Sequence, residues 1–76
     1  MQISDLKIGE SARIVGLNAG NLAFRQRLLA LGLIPGAEIT VVRIAPFGDP
    51  IELKVKRSSV CMRRNEANIL QIERLL

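Results

Sequence analysis

From Asn21 to Gly36 the chain reads NLAFRQRLLALGLIPG, the pattern of one short helix followed by a tight turn. Phe24, Leu28 and Leu31 recur at spacings of four and three, so they share one helical face and predict its buried side. Asn21 is a favoured N-cap, because its side-chain oxygen can accept a hydrogen bond from a first-turn N–H group. No other segment of the sequence predicts a helix of comparable length.

The end of this helix is marked by its own residues. Gly32 lies where a helix needs a left-handed residue, and Leu33 can fold back onto Leu28, as in a Schellman ending. Pro35 and Gly36 suit the centre of a type II turn, because proline fixes φ and glycine supplies a positive φ. We therefore expect Leu28, Gly32, Leu33, Pro35 and Gly36 to form a structural motif that ends the helix and starts a strand.

The remainder of the chain reads as short strands. The segment after Gly36 is apolar on both faces, as expected for a central strand. The next segment alternates strictly, with Ile51, Leu53 and Val55 on its inner face. The predicted strands are Ala12–Leu17, Ala37–Ala45, Ile51–Lys56, Val60–Met62 and Ile69–Leu75, and residues 63–68 predict a turn or a single helical turn.

These elements predict a mostly β fold in one domain, residues 1–76. About five short strands with one helix between the first two cannot bury both faces of a flat sheet in so short a chain. Closure into a small barrel would remove the exposed edges. The predicted core is Leu28, Leu31, Ile39, Val41, Leu53, Val55, Leu70 and Ile72, with Ile3, Leu6 and Ile8 as anchors near the N-terminus.

The composition is basic but poor in aromatic residues. Eleven Lys and Arg against seven Asp and Glu give a net charge of +4, which favours a nucleic-acid or acidic protein partner. Single-strand binders stack bases on aromatic side chains, and proline-rich peptides need an aromatic groove, yet the chain has two Phe and no Trp or Tyr. We therefore expect no nucleic-acid partner, and keep a basic small-barrel nucleic-acid binder as an alternative.

The sequence offers little for metal chemistry or catalysis. There is no His and a single Cys, whereas transition-metal sites need several such ligands. The chain also lacks a GxxxxGK[ST] phosphate loop, and Ser58 and Ser59 have no activating partner nearby. We expect no catalytic, cofactor-binding or metal-binding residues, and interpret Cys61 as a small strand residue. The longest apolar run, Leu28–Ile34, is shorter than the about 20 residues that span a bilayer, so we expect a soluble, cytoplasmic protein.

Three features of the sequence occur together: RxxLxxxGLxPG from Arg25 to Gly36, VVR at 41–43 and APFGDP at 45–50. In this combination the chain resembles the FeoA family, the small cytosolic components of bacterial ferrous-iron uptake systems. The resemblance covers nearly the whole chain. It implies an SH3-like β-barrel that acts with a FeoB-type membrane transporter bearing a cytosolic GTPase domain, and that reaches the membrane only through this partner. A homo-oligomer is compatible with the sequence.

A second resemblance gives the alternative function. The same helix–Gly–Pro–Gly core also occurs in the C-terminal SH3-like domains of iron-dependent repressors, which implies a metal-linked regulatory module. That reading is weakened because this chain has no helix-turn-helix of its own.

The expected partner-binding residues are Arg25, Arg27, Phe47, Gly48 and Asp49, provided that the loop carrying Phe47 packs beside the helix. The arginines could equally form a solvated face, and Arg25 could hydrogen-bond loop carbonyls. Phe47 either folds back onto the barrel or anchors an interface. A second basic face, Lys54, Lys56, Arg63 and Arg64, is the next candidate.

Overall fold

The computed structural model describes residues 1–18 and 22–75, apart from the side chain of Phe24. The predicted N-cap, Asn21, and the predicted burial of Phe24 therefore lie outside what the structure describes. Within the described residues, no helix is long and apolar enough to cross a membrane. In chain order the elements are a 3₁₀ helix Ile3–Asp5, β1 Ser11–Leu17, α1 Leu22–Ala30, β2 Glu38–Ile44, β3 Ile51–Val55, β4 Ser58–Met62, α2 Arg64–Ala67 and β5 Leu70–Arg74.

The five strands form one antiparallel sheet in the order β4-β3-β2-β1-β5. β2 is central, which confirms the interpretation of its apolar sequence. β2 and β3 form the predicted hairpin, with Ile44 opposite Ile51. The strict alternation of β3 is confirmed, since Ile51, Leu53 and Val55 are buried and Lys54 is exposed.

The prediction of a closed barrel is wrong for this structure. β4 and β5 are the two edges of the sheet, and no ladder joins them within residues 1–18 and 22–75. The chain passes from β4 to β5 through α2, whose Ala67 is fully buried in the core. Side-chain packing of α2, rather than strand pairing, therefore covers the core between the two edges.

The core confirms most of the predicted set, namely Ile3, Leu6, Leu28, Ile39, Val41, Leu53, Val55, Leu70 and Ile72. Two predicted core residues are instead exposed: Leu31 at 40% and Ile8 at 60%. Ile8 lies in the turn closed by the hydrogen bond from Glu10 N to Lys7 O, 3.0 Å, which carries its side chain to the surface.

Leu31 is exposed because α1 ends one residue before it. Its N–H lies 3.1 Å from the carbonyl oxygens of both Arg27 and Leu28, as is common in the last turn of a helix. The chain then reverses at Gly32, and Leu33 occupies the buried position beside Leu28. The helical spacing that predicted Leu31 therefore stops applying where the helix stops.

Candidate partner-binding surface

The motif after α1 fixes the direction in which the chain leaves the helix. Leu33 N donates to Leu28 O and Gly32 N donates to Leu29 O, each at 3.0 Å, and Gly32 has φ +90°; these are the features of a Schellman motif. Ala37 N donates to Ile34 O across Pro35 and Gly36, and Gly36 has φ +94°. This geometry agrees with a type II turn. The motif thus connects the end of α1 to the start of β2.

The two helical arginines are both exposed on α1, but they do not share a face. Residues two positions apart on a helix point in different directions. Arg27 faces a groove beside β4, whereas Arg25 does not line that groove. Among the residues described, neither arginine makes an ion pair. The structure therefore gives Arg27 a defined location and Arg25 only an exposed one.

The groove has a volume of about 260 Å³ and lies between α1, β4 and α2. One wall consists of Arg27, Leu28 and Leu31 at the end of α1. The other wall is formed by residues 59–62 of β4, and Glu66 of α2 completes the lining. The carboxylate of Glu66 accepts a hydrogen bond from Arg63 N at 3.0 Å, so it serves as a cap for α2. The groove is therefore partly apolar, with Arg27 as its cation.

The loop between β2 and β3 places Phe47 at its tip. Gly48 N donates to Ala45 O at 2.7 Å, so Pro46 and Phe47 occupy the middle of a turn. Gly48 follows with φ +84°, a conformation that favours glycine. Phe47 is 98% exposed, so of its two alternatives the structure shows the projecting side chain rather than the folded-back one.

Asp49 ties this loop to α2. Its Oδ1 accepts a hydrogen bond from Arg64 N at 2.6 Å, at the first residue of the helix. A carboxylate at a helix N-terminus satisfies an unpaired N–H group and interacts favourably with the helix dipole. The guanidinium of Arg64 also lies over Gly48, 3.7 Å from where a β-carbon would stand.

The structure places the predicted partner-binding residues on two elements, α1 and the β2–β3 loop. Arg27 lies in the groove beside β4, while Phe47, Gly48 and Asp49 lie in a loop held by α2. Both places border α2, because Glu66 lines the groove and Arg64 N donates to Asp49. The packing of this loop beside α1 stays a prediction, and the contact that the structure shows for the loop is with α2.

Sequence reasoning missed the edge of β4 as a feature of this surface. The structure places residues 59–62 along the groove and at the border of the sheet. A signal was available, because the segment SSVCM at 58–62 carries no charge while Lys56, Arg57, Arg63 and Arg64 flank it. That pattern indicates an uncharged strand between two cationic ends.

Cys61 is a free, exposed thiol on β4. Within residues 1–18 and 22–75, no three His, Cys, Asp or Glu side chains come together as a metal site would require. A smaller depression of about 170 Å³, lined by Arg43, Ala45, Pro50, Glu52 and Cys61, contains the ion pair between Arg43 and Glu52 at 3.8 Å. Because the Arg43 side chain is exposed, this ion pair contributes little to stability.

Comparisons with known proteins agree on one family. A family model described as the FeoA domain matches residues 1–74. A protein of Porphyromonas gingivalis, named Fe(2+) transport protein A/Fe(2+) transporter FeoB fusion protein, is 37% identical over 73 residues. The match covers 96% of this chain but only 8% of that relative.

Solved structures show the same fold. The solution structure of FeoA from Chlorobium tepidum is 42% identical, with a TM-score of 0.91, over 100% of this chain and 71% of that one. The crystal structure of Stenotrophomonas maltophilia FeoA complexed with zinc, described as an SH3 domain protein, is 28% identical with a TM-score of 0.83. It is matched over 96% of this chain and 89% of its own.

The chain is also similar in structure to a protein that is not named FeoA, and this similarity shows the fold alone. A manganese-dependent transcriptional repressor has a TM-score of 0.87 at 12% identity, over 99% of this chain and 41% of that one. The five-stranded sheet with its short helices is therefore an SH3-like fold that also occurs within a repressor. Because the FeoA model covers nearly the whole chain, and because the fold and the relatives agree with it, this protein belongs to the FeoA family.

Proposed function

We propose that this chain is an accessory protein of ferrous-iron uptake that docks on the cytosolic, GTPase-bearing part of a FeoB-type transporter and supports or regulates it. The observation that carries the proposal is the P. gingivalis fusion protein, whose name joins the two components in one chain. Linking two modules that bind each other raises their effective concentration without new contacts. The fusion therefore supports the expectation that the separate components bind each other.

The proposed docking surface comprises Arg25, Arg27, Phe47, Gly48 and Asp49. Phe47 is the apolar anchor, because a side chain that is 98% exposed gains from burial against a partner. Arg27 supplies a charge that pairs with a carboxylate while its stem packs. Gly48 and Asp49 act indirectly, by holding the shape of the loop that presents Phe47.

Regulation by such a module follows from linkage. The chain can shift its partner between two states only if it binds one state more tightly than the other. A GTPase domain has nucleotide-dependent states, so the nucleotide is the natural variable to change. We propose a preference for one nucleotide state, with the reciprocal effect that this nucleotide state raises the affinity for the chain.

The test is a calorimetric titration of the chain into the cytosolic domain of the FeoB-type transporter from the same organism. The domain is used empty, with GDP, and with a non-hydrolysable GTP analogue. Binding in at least one state is expected, with unequal dissociation constants among the states. Absence of binding in all three states, at concentrations that reveal micromolar affinity, would contradict the docking proposal.

Two other functions have weaker support. The repressor likeness concerns the fold, and folds host unrelated functions, so it does not carry metal-linked regulation to this chain. Binding to generic nucleic acid would depend on phosphate contacts by the basic side chains and would fall steeply with salt. A salt titration against generic RNA and DNA distinguishes this behaviour from docking on a protein.

A further inference from the structure

Strand β4 is an edge of the sheet without the usual protection. Natural edge strands are protected by charged residues, proline, bulges or a covering element. β4 has the sequence SSVCM, which contains neither charge nor proline. Its ladder with β3 runs without a register shift, whereas the β1–β5 and β2–β3 ladders each contain one.

The opposite edge strand, β5, has the protection that β4 lacks. β5 carries Glu73 and Arg74 within the strand, and its ladder with β1 is irregular beside Gly16. The 3₁₀ helix near the N-terminus contacts it, and Arg74 Nη2 donates to Asp5 O at 3.5 Å. β4 is therefore the edge at which another strand can be added.

The direction of the backbone groups of β4 follows from the hairpin. Val55 lies opposite Ser58 across a two-residue turn. Such a turn closes on a hydrogen-bonded pair, and hydrogen-bonded pairs alternate along an antiparallel ladder. Ser59 and Cys61 consequently direct their N–H and C=O groups outward. Within the described residues, no backbone group of 58–62 has a hydrogen-bond partner outside the β3 ladder.

The groove lies along this edge. Residues 59–62 are consecutive, so their side chains alternate between the two faces of the sheet, yet all four line the same groove. Because β4 is an edge strand, a groove that touches it along residues 59–62 lies beside the border of the sheet. Across it, Leu31 is 40% exposed and offers an apolar contact to whatever enters.

We propose that the edge of β4 takes an extended segment of the docking partner as an added strand. The segment has β-branched or apolar residues at its centre and acidic residues at both ends. Main-chain hydrogen bonds to Ser59 and Cys61 provide the affinity, as in other cases of strand addition. The acidic ends are specified by the cations that flank β4, Lys56 and Arg57 before it and Arg63 after it. This inference rests on the proposed docking on a FeoB-type transporter.

A second copy of this chain fits the same edge poorly. Antiparallel pairing of two β4 strands brings the end of one copy next to Arg57 close to the end of the other next to Arg63. Like charges directly opposite each other destabilise a strand pair. The charges that repel a second copy attract a segment with acidic ends.

The first test measures amide hydrogen exchange in the ¹⁵N-labelled chain, with and without the transporter's cytosolic domain. Exchange at Ser59 and Cys61 is expected to slow by about tenfold or more on binding, while Val60, already bonded to β3, changes little. Binding that leaves the exchange of Ser59 and Cys61 unchanged overturns strand addition but not docking. If the domain does not bind, the docking proposal fails. Strand addition at β4 is then tested with peptides instead of the domain.

That independent test uses synthetic peptides of about nine residues, a length that covers the strand. One alternates Val and Thr between paired Glu residues, and the other has Lys in place of each Glu. The acidic peptide is expected to slow amide exchange at Ser59 and Cys61. At low salt it should bind about tenfold more tightly than the peptide with Lys. Failure of the acidic peptide to protect these amides overturns the inference. If exchange at Ser59 and Cys61 slows as protein concentration rises, with no peptide present, the edge instead pairs with a second copy of this chain.

Variants separate the backbone from the side chain. Cys61→Pro removes an outward N–H group at an edge position, where proline is tolerated, and Cys61→Ala keeps it. Cys61→Pro is expected to weaken binding of the acidic peptide by about tenfold, and Cys61→Ala to weaken it less, because Cys61→Ala keeps the N–H group. Equal loss in both variants overturns the backbone contact. If circular dichroism shows that Cys61→Pro is unfolded, Ser59→Pro and Ser59→Ala replace the pair.

Discussion

Leu28 and Leu33 attach the end of α1 to the rest of the molecule. Among the described side chains of α1, Leu28 is the buried one, while Leu22 and Leu29 are exposed. Leu33 follows the Schellman turn and is also fully buried. The position of α1, and with it the wall of the groove that carries Arg27, therefore depends on two neighbouring leucines.

A matched pair of leucine truncations tests this attachment. Leu28→Ala should cost about 2–5 kcal/mol of unfolding free energy, because Leu28 is 1% exposed and its removal leaves a cavity. Leu31→Ala should cost about 1 kcal/mol or less, because this side chain already contacts solvent. Denaturant unfolding of both variants gives the comparison. Equal losses would show that the two leucines are equally buried in solution.

The difference between these leucines also shows what could be predicted at this scale. Residue spacing identified Leu28, and the glycine signal identified the helix end and the return of Leu33. The two signals conflict at Leu31, since helical spacing assigns it to the core while Gly32 ends the helix beside it. The turn prevails because a side chain beyond the last helical turn no longer follows the helical period.

At the scale of elements, α2 depends on its neighbours. A helix of four residues is not stable alone, because the free-energy cost of nucleation exceeds the stabilisation from so few hydrogen bonds. Glu66 accepts from Arg63 N, Asp49 accepts from Arg64 N, and Ala67 is buried. The β2–β3 loop and α2 therefore order each other.

Truncating Asp49 tests this mutual support. Asp49→Ala should lower the unfolding free energy by about 1 kcal/mol, the usual effect of losing a helix cap, and should loosen the Phe47 loop. Asp49→Asn keeps an acceptor oxygen and should lose less. Thermal unfolding and amide exchange at Arg64 provide the measurements. Unchanged stability in Asp49→Ala, with weaker binding to the transporter domain, would assign Asp49 to the partner rather than to α2.

Strands with a strong local signal could be predicted, but their final arrangement could not. The alternation of Ile51, Leu53 and Val55 fixes the inner face of β3 from sequence alone. Whether β4 pairs with β5 depends on how α2 packs against the core. The local sequence of residues 63–68 does not predict that packing. The bond from Arg64 to Asp49 joins residues fifteen apart and exists only after the hairpin has its register. The attachment of the Phe47 loop to α2 was therefore beyond local reasoning.

The whole molecule combines a small core with a net charge of +4. Long-range attraction raises the rate at which an acidic partner arrives, and short-range apolar contact sets how long it stays. Arg27 on α1 represents the first contribution, and Phe47 in the β2–β3 loop represents the second. If docking uses both, their substitution should affect different rate constants.

The kinetic prediction uses Arg27→Glu and Phe47→Ala against the transporter's cytosolic domain. Arg27→Glu should mainly slow association and weaken its salt dependence, because an exposed charge acts on the encounter. Phe47→Ala should mainly speed dissociation, because truncation removes apolar contact area. The binding free energy should weaken by about 1 kcal/mol or more. Both variants should melt like the parent, since Arg27 is exposed and Phe47 is 98% exposed.

Lys54→Glu serves as the control, because Lys54 is exposed on β3 and makes no ion pair among the described residues. If Lys54→Glu slows association while Arg27→Glu and Phe47→Ala bind like the parent, docking uses the basic face of Lys54, Lys56, Arg63 and Arg64 instead. Strand addition at β4 would be compatible with either surface, since Arg63 lies just beyond the end of that strand. The measured rate constants therefore decide which of these residues the partner contacts.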